Sequence, residues 1–156
     1  MHPNTERVQR ALIAGGSPAE VVELAGAATT AALAAEALGV QVGQIANSLV
    51  FLADAAPFMV LTSGANRVDL NKVAAVLGAA KVGRADAETV RAATGFTIGG
   101  VSPVAHATEI PVLVDQDLQQ YDVIWAAAGT AHTVFPTTYA ELVRLSGGRP
   151  ADVRQE

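Results

Sequence analysis

"TGFTIGGVSPVAH", residues 94–106, is the stretch of the chain that says most about its fold. Gly99 and Gly100 end an apolar run, and Pro103 and His106 follow within one short loop. Glycines increase the entropy that the backbone loses on folding, and a proline lacks a hydrogen-bond donor, so we expect the loop to have a role that offsets these costs. Adjacent glycines let peptide N–H groups approach a ligand closely. The loop can therefore present donors to a carbonyl oxygen, as an oxyanion hole does, and an ordinary tight turn is the alternative.

The glycine pattern excludes two common phosphate-binding motifs. The glycines are too few, and wrongly spaced, for a dinucleotide fingerprint or a P-loop. A proline follows them instead of a helix, so the dipole that a phosphate site uses is missing.

Outward from this loop, helical and strand patterns are interspersed. Glycines or polar caps bound five amphipathic stretches, which predict helices over residues 4–16 (capped by Asn4 or Thr5), 29–39 (capped by Thr29 or Thr30), 69–78, 86–95 and 137–148. Apolar and β-branched runs predict strands over residues 19–24, 44–53, 58–63, 111–115, 122–129 and 132–135. Only "DAAP" separates the second and third strands, so they are expected to pair antiparallel. We therefore predict one α/β domain over residues 1–156 with a mixed sheet.

The composition of the chain excludes several classes of protein. The 156 residues are 51% hydrophobic and 16% charged, with a net charge of −5 and no cysteine. No apolar run approaches the roughly 20 residues that span a bilayer, and the polar start lacks a secretory signal, so we expect a cytoplasmic protein without a membrane partner. The acidic balance argues against DNA and against broad binding along a phosphate backbone, but it permits contact with the end of a nucleic acid.

Side-chain chemistry gives no strong candidate for a catalytic triad or a metal site. Ser48, His106 and Asp115 are conceivable triad partners, but no glycines flank Ser48 as they do in a nucleophile elbow. We interpret Ser48 as a strand serine with a local hydrogen bond, and Asp115 as a cap for "QDLQQY" or a site carboxylate. Three scattered histidines lack metal-ligand spacing, so neither a metal nor a cofactor is expected. Trp125 and Phe135 are expected in the core.

Five stretches together resemble one known family. "GQIANSLVF", "RVDLNKVAAVLGAAKV", "TGFTIGGVSP", "PVLVDQDL" and "AAAGT" run in the order found in the YbaK/prolyl-tRNA-synthetase-associated, EbsC-like family. The resemblance covers roughly residues 18–153. It implies a compact α/β domain with a curved, partly barrel-like mixed sheet surrounded by helices. It also implies hydrolysis of the ester that joins a wrong amino acid, chiefly alanine or cysteine, to proline tRNA.

The resemblance also implies site residues and partners. The family's G-x-x-x-P loop matches residues 99–103, whose backbone would hold the aminoacyl group, and a 2′-hydroxyl of the terminal adenosine would help to activate the attacking water. Catalysis is assigned by similarity to Asn47, Gly99 and Gly100. Substrate binding is assigned to Thr30, Val101, Ser102, Pro103, His106, Asp115, Gly129 and Thr130. The expected partners are the acceptor end of an aminoacyl-tRNA and prolyl-tRNA synthetase.

Asn47 departs from the family pattern. The family usually carries a lysine in the strand that here reads "QIANSLVF". Asparagine donates and accepts hydrogen bonds but brings no charge to a phosphate or an oxyanion. Two hypotheses follow: an aminoacyl-tRNA deacylase that acts in trans, and a non-catalytic module that binds an aminoacyl or amino-acid-like ligand.

Overall fold

The computed structural model describes all residues, Met1–Glu156, and contains eight strands in one mixed sheet with five α-helices around it. The helices are α1 (Pro3–Ala14), α2 (Ala31–Leu38), α3 (Leu70–Leu77), α4 (Ala87–Thr94) and α5 (Tyr139–Ser146). The strands are β1 (Val22–Glu23), β2 (Ile45–Ala53), β3 (Ala56–Ser63), β4 (Val82–Arg84), β5 (Val112–Asp115), β6 (Ile124–Ala127), β7 (Thr133–Thr137) and β8 (Arg149–Ala151). Two short 3-10 helices span Val42–Gln44 and Gln116–Gln120. No helix is long and apolar enough to cross a membrane.

Side-chain caps fix where the helices begin. The side chains of Thr30, Asp69, Asp86 and Thr138 each accept a hydrogen bond from a peptide N–H in the first turn. For α1 the predicted cap is wrong. His2, not Asn4 or Thr5, caps this helix, because Pro3 takes the first helical position and leaves the imidazole to accept from the Asn4 N–H.

The predicted hairpin of β2 and β3 is present. The two strands pair antiparallel from Ala46 with Ser63 to Ala53 with Ala56. Asp54 and Ala55 form the two-residue turn. Their φ angles of 47° and 72° are the left-handed values of a type I′ turn, whose twist matches that of the paired strands. β3 is the most buried long strand, since every residue from Phe58 to Ser63 is buried.

The sheet is mixed and open. Its order is β1-β7-β6-β2-β3-β5-β8, and β4 also pairs with β2. β2 with β6, β3 with β5, and β5 with β8 are parallel, while the remaining pairs are antiparallel. The end strands β1 and β8 do not pair, so the sheet does not close. The predicted α/β class with a mixed sheet is confirmed.

Both faces of the sheet are covered. On one face, Met59 and Leu61 of β3 join a large apolar cluster that includes Val8 and Leu12 of α1. On the other face, Phe58 and Val60 join a smaller cluster. Alternate residues of a strand point to opposite faces, so one strand supplies both clusters.

Candidate active site at the divided edge of strand β2

Strand β2 has two different partners along one edge. β3 occupies the whole of its other edge. On the divided edge, β6 pairs with Ile45 and Ala46, and β4 pairs with residues 51–53. Residues 47–50 therefore have no strand beside them on that edge, and a gap opens in the middle of the sheet.

Peptide groups of β2 point into this gap. The Gly64 N–H donates to the Ile45 carbonyl at 2.8 Å, so the peptide groups of Ile45 face the β3 side. The direction alternates along an antiparallel strand. Those of Ser48 and Val50 consequently face the gap. A strand edge with polar backbone groups that no neighbouring strand covers is a surface on which a polar ligand can be held.

A cavity of about 440 Å³ occupies the gap. This volume lies in the range of roughly 300–1,000 Å³ typical of small-molecule sites. The lining contains no aspartate, glutamate, histidine, lysine or cysteine. Eight of the lining residues are alanines: Ala28, Ala31, Ala34, Ala46, Ala85, Ala126, Ala127 and Ala131. No lining side chain can therefore serve as a strong general base or as a nucleophilic thiol.

The loop of residues 94–106 forms one wall through Ile98, Gly99 and Val101. Gly99 has a φ of 100°, a conformation that favours glycine, and a β-carbon at this position would lie 3.4 Å from the side chain of Thr29. The peptide N–H groups of Gly99 and Val101 donate to no acceptor within the protein. Such unpaired donors are uncommon in a folded protein, above all at a buried residue such as Val101. This wall can therefore offer hydrogen bonds to a ligand.

Gly100 has a different position from its neighbours. Its N–H donates to the Thr97 carbonyl at 3.0 Å, and the residue is buried outside the lining. A β-carbon at this position would lie 2.7 Å from the backbone of Thr130. Gly100 therefore allows the loop to pack directly on the turn that contains Thr130.

Three further predicted site residues line the cavity. The carboxamide of Asn47 has no hydrogen-bond partner in the protein. Thr30 lines it while its hydroxyl caps α2, and Thr130 lines it while its hydroxyl pairs with Thr133 at 2.8 Å. The structure thus brings together Asn47, Thr30, Thr130, Gly99 and Val101.

The other predicted site residues lie outside the lining, and their assignment to the site stays a prediction. Ser102 and Pro103 are buried within the loop, where the Ser102 hydroxyl accepts from the Val104 N–H. Gly129 has a φ of 100°, and a β-carbon there would lie 2.9 Å from the backbone of Asn4. Its conformation lets α1 approach the turn closely.

His106 holds the loop from outside the cavity. Its Nε2 lies 2.8 Å from the Ser102 carbonyl, which accepts when this nitrogen carries the proton. Burial lowers the pKa of His106 from its ordinary value of 6.5, and the charge of Arg7 acts in the same direction, against the hydrogen bond to Ser102. The imidazole therefore favours the neutral form and links two parts of the loop.

Asp115 is completely buried and caps the 3-10 helix Gln116–Gln120, which agrees with the interpretation of this residue as a cap for "QDLQQY". Its carboxylate accepts from the peptide N–H groups of Ser63 and Asp117, each at 3.0 Å. The side chains of Thr62 and Asn66 also donate to it. These bonds tie the end of β3 to the end of β5 and account for the buried charge without a ligand.

Sequence reasoning missed several lining residues. Ile98 is 65% exposed although it is apolar, and its place directly before Gly99 and Gly100 is the sequence signal that could have identified it. Trp125, expected in the core, is only half-buried and lines the cavity. Arg84 also lines it, on a strand that was not predicted. Ser48 lines it too, and its buried hydroxyl has no partner, so the expected local hydrogen bond is absent.

Helix α1 supports the site from behind. Arg7 donates to the Thr94 carbonyl at 3.3 Å and lies over the ring of Phe96, 4.4 Å from its centroid. Thr5 contacts the hydroxyl of Thr133 at 3.2 Å. The helix thus contacts both the glycine loop and the turn on which the loop packs. No group of three or more histidine, cysteine, aspartate or glutamate side chains is placed to bind a metal.

Comparison with known proteins identifies the family. Residues 25–145 match the family model of the aminoacyl-tRNA editing domain. The chain belongs to the aminoacyl-tRNA editing family. The editing domain is 28% identical over 120 residues, 76% of its length and 73% of the other's, to EbsC of Enterococcus faecalis, described as a candidate Cys-tRNA(Pro)/Cys-tRNA(Cys) deacylase.

Two further matches agree with this family. The editing domain is 37% identical over 122 residues to the proline–tRNA ligase of Desulfovibrio desulfuricans, a match that covers 76% of the chain and 21% of the ligase. A crystal structure described as a candidate trans-editing enzyme for prolyl-tRNA synthetase superposes with a TM-score of 0.94 at 43% identity, over 100% of this chain and 99% of that one. The predicted family is confirmed, and the matches support a hydrolase role.

Proposed function

We propose that this editing domain acts in trans to hydrolyse the ester of proline tRNA that carries alanine or cysteine. The observation that carries the proposal is the pair of unpaired N–H groups, those of Gly99 and Val101, at the wall of a cavity that also contains the open edge of β2. Peptide donors of this kind stabilise the negative charge that develops when water attacks an ester carbonyl.

The size of the cavity supports a small aminoacyl group. Eight alanines line a space of about 440 Å³, which lies in the range of small-molecule sites, so we propose that only the aminoacylated end of a tRNA enters it. Synthetases need such a second site because one methylene in an apolar pocket discriminates by only about 1–3 kcal/mol. The domain would complete a double sieve by accepting the small amino acids that a proline site admits in error.

The proposed reaction uses one water molecule. Its oxygen attacks the ester carbonyl carbon, and the N–H groups of Gly99 and Val101, with the Asn47 carboxamide, stabilise the oxyanion. The carbon–oxygen bond to the ribose then breaks, and the ribose oxygen takes a proton as it leaves. Because no lining side chain is a strong base, the neighbouring 2′-hydroxyl of the substrate is proposed to help deprotonate the water.

The charge balance bears on the partners. A net charge of −5 disfavours a long phosphate contact, so we propose that the domain binds only the acceptor end and works in the cytoplasm beside prolyl-tRNA synthetase. The resemblance to part of proline–tRNA ligases supports the link to that enzyme.

The test is hydrolysis of a panel of proline tRNAs charged with alanine, cysteine or proline. We expect release of alanine or cysteine and little release of proline, and loss of activity when the terminal adenosine lacks its 2′-hydroxyl. The alternative, a non-catalytic binding module, rests on Asn47 and is not favoured by the comparisons. It predicts no hydrolysis on any of the three tRNAs together with binding of an amide-linked alanyl-adenosine.

A further inference from the structure

Arg84 is the only charged residue that lines the cavity. Its side chain is exposed, forms no ion pair with a carboxylate, and makes no hydrogen bond within the protein. In a chain with five more acidic than basic residues, a cation without a partner at the mouth of an uncharged cavity requires an explanation.

The register of the sheet places Arg84 at one end of the gap. Arg84 pairs with Phe51 of β2, four residues beyond Asn47. At roughly 3.3 Å per strand residue, its backbone is displaced by about 13 Å along the strand from that of Asn47. The ester and the 5′-phosphate of an aminoacylated nucleotide lie at opposite sides of one ribose. An arginine side chain is long enough to bring its guanidinium back toward the second of these groups.

The nearest acidic residue along the chain is already engaged. Asp86 caps α4, where its carboxylate accepts from the Thr89 N–H at 2.8 Å, and hydrogen bonding to the side chain and then to the N–H of Thr89 lowers the pKa of Asp86. The guanidinium of Arg84 is consequently left to an external anion. Arginine matches phosphate with two parallel N–H donors, a geometry that lysine lacks.

We propose that Arg84 binds the 5′-phosphate of the terminal nucleotide of the substrate and so sets the direction in which the aminoacyl end enters the cavity. The aminoacyl end carries an ammonium group, which the guanidinium repels, and the phosphate end carries the charge that it attracts. One cation at one end of an uncharged cavity thus orients the substrate. The inference rests on the proposed function, since it takes the aminoacyl end of tRNA as the ligand.

The experiment compares two small substrates, alanyl-adenosine and the same ester with a 5′-phosphate. We expect the wild type to hydrolyse the phosphorylated ester with kcat/KM on the order of 10-fold higher, since the contact is a charge-assisted hydrogen bond at an exposed site. Arg84→Gln should abolish this preference, so that the ratio of the two kcat/KM values falls to about one. Arg84→Lys should retain part of it, because the charge remains without the fork.

Arg91→Gln is the matched control. Arg91 is exposed, lies on α4 outside the cavity lining and forms no ion pair, so this variant makes the same change in net charge. It should keep the wild-type preference. A preference that survives in Arg84→Gln, or that Arg91→Gln also loses, would overturn the assignment.

Binding separates this proposal from the proposed function. If the wild type hydrolyses neither ester, calorimetry with the amide-linked analogues of both compounds still tests Arg84, and the deacylase proposal is decided separately by the charged tRNAs. Tighter binding of the phosphorylated analogue by the wild type, lost in Arg84→Gln, supports the phosphate contact. Equal binding of the two analogues by the wild type refutes it.

Discussion

Replacement of Gly100 by alanine tests how the glycine loop is held. The added β-carbon would lie 2.7 Å from the carbonyl carbon and the α-carbon of Thr130, and 3.0 Å from its nitrogen. Backbone atoms cannot rotate away, so the loop and the turn must separate by about 1 Å to regain ordinary contact distances. Gly100 does not have a positive φ, so backbone strain adds nothing to this steric effect.

The size of the effect follows from this overlap. Overpacking a well-packed interior costs about 1–3 kcal/mol of the free energy of unfolding. In a domain of this length each kcal/mol lowers Tm by about 2–4 °C, so we expect Gly100→Ala to melt roughly 2–12 °C below the wild type. A shift of about 1 Å in a group that positions the substrate can cost about 100-fold in rate. Deacylation at 25 °C should therefore fall by that order while the protein remains folded.

Thermal melts followed by circular dichroism and single-turnover deacylation provide the two measurements. Gly26→Ala is the control, because a β-carbon there meets nothing within 4 Å and its φ is not positive. Its free energy of unfolding should stay within about 0.5 kcal/mol of the wild type. A Gly100→Ala protein with the Tm and the rate of the wild type would refute the claim that the loop packs on the Thr130 turn.

Substitutions at three further positions test single groups. Asn47→Lys should raise the rate of deacylation of alanylated proline tRNA, because the lysine adds a charge-assisted contact, and Asn47→Ala should lower this rate. Equal rates in the wild type and both variants would place residue 47 outside the site. Ser48→Ala should leave the urea midpoint unchanged or raise it, because the hydroxyl that is lost has no partner, and a lower midpoint would reveal one. His106→Gln should reduce the pH dependence of the free energy of unfolding. Because the pKa of His106 is lowered in the folded protein, the unfolded chain binds more protons, so the wild type is most stable with respect to this group above about pH 6.5 and loses stability at lower pH. A variant with the same urea midpoints as the wild type between pH 7 and 5 would contradict this.

Much of the fold could be read locally from the sequence. The apolar runs on either side of "DAAP" predicted the β2–β3 hairpin because a two-residue connection leaves antiparallel pairing as the simple solution. β4 and β8 were missed because each has three residues, and glycine, arginine and proline dilute the strand pattern. The run "AEVVEL" predicted a strand over residues 19–24. The observed strand is only Val22–Glu23, because β7 pairs with only these two residues.

The candidate site could be predicted only in part. Asn47 and Gly99 were identified because they lie in recognisable stretches of the sequence. The cavity itself depends on where β4 leaves β2 and where β6 joins it, which are contacts between segments distant in the chain. No local sequence pattern indicates where distant strands pair, so Arg84 and Trp125 were not expected to line the same cavity as Asn47.

The groups that can contact an ester here belong largely to the backbone, and this affects how the domain can evolve. Side-chain replacement cannot remove the peptide N–H groups of Gly99 and Val101, short of introducing a proline. The alanines around them, in contrast, can each be enlarged by a single substitution, which would reshape the space without touching those donors. Exchange of a single lining alanine can therefore alter the fit of an aminoacyl group more readily than it can remove these donors. A lineage could explore new substrates while it retains the same reaction.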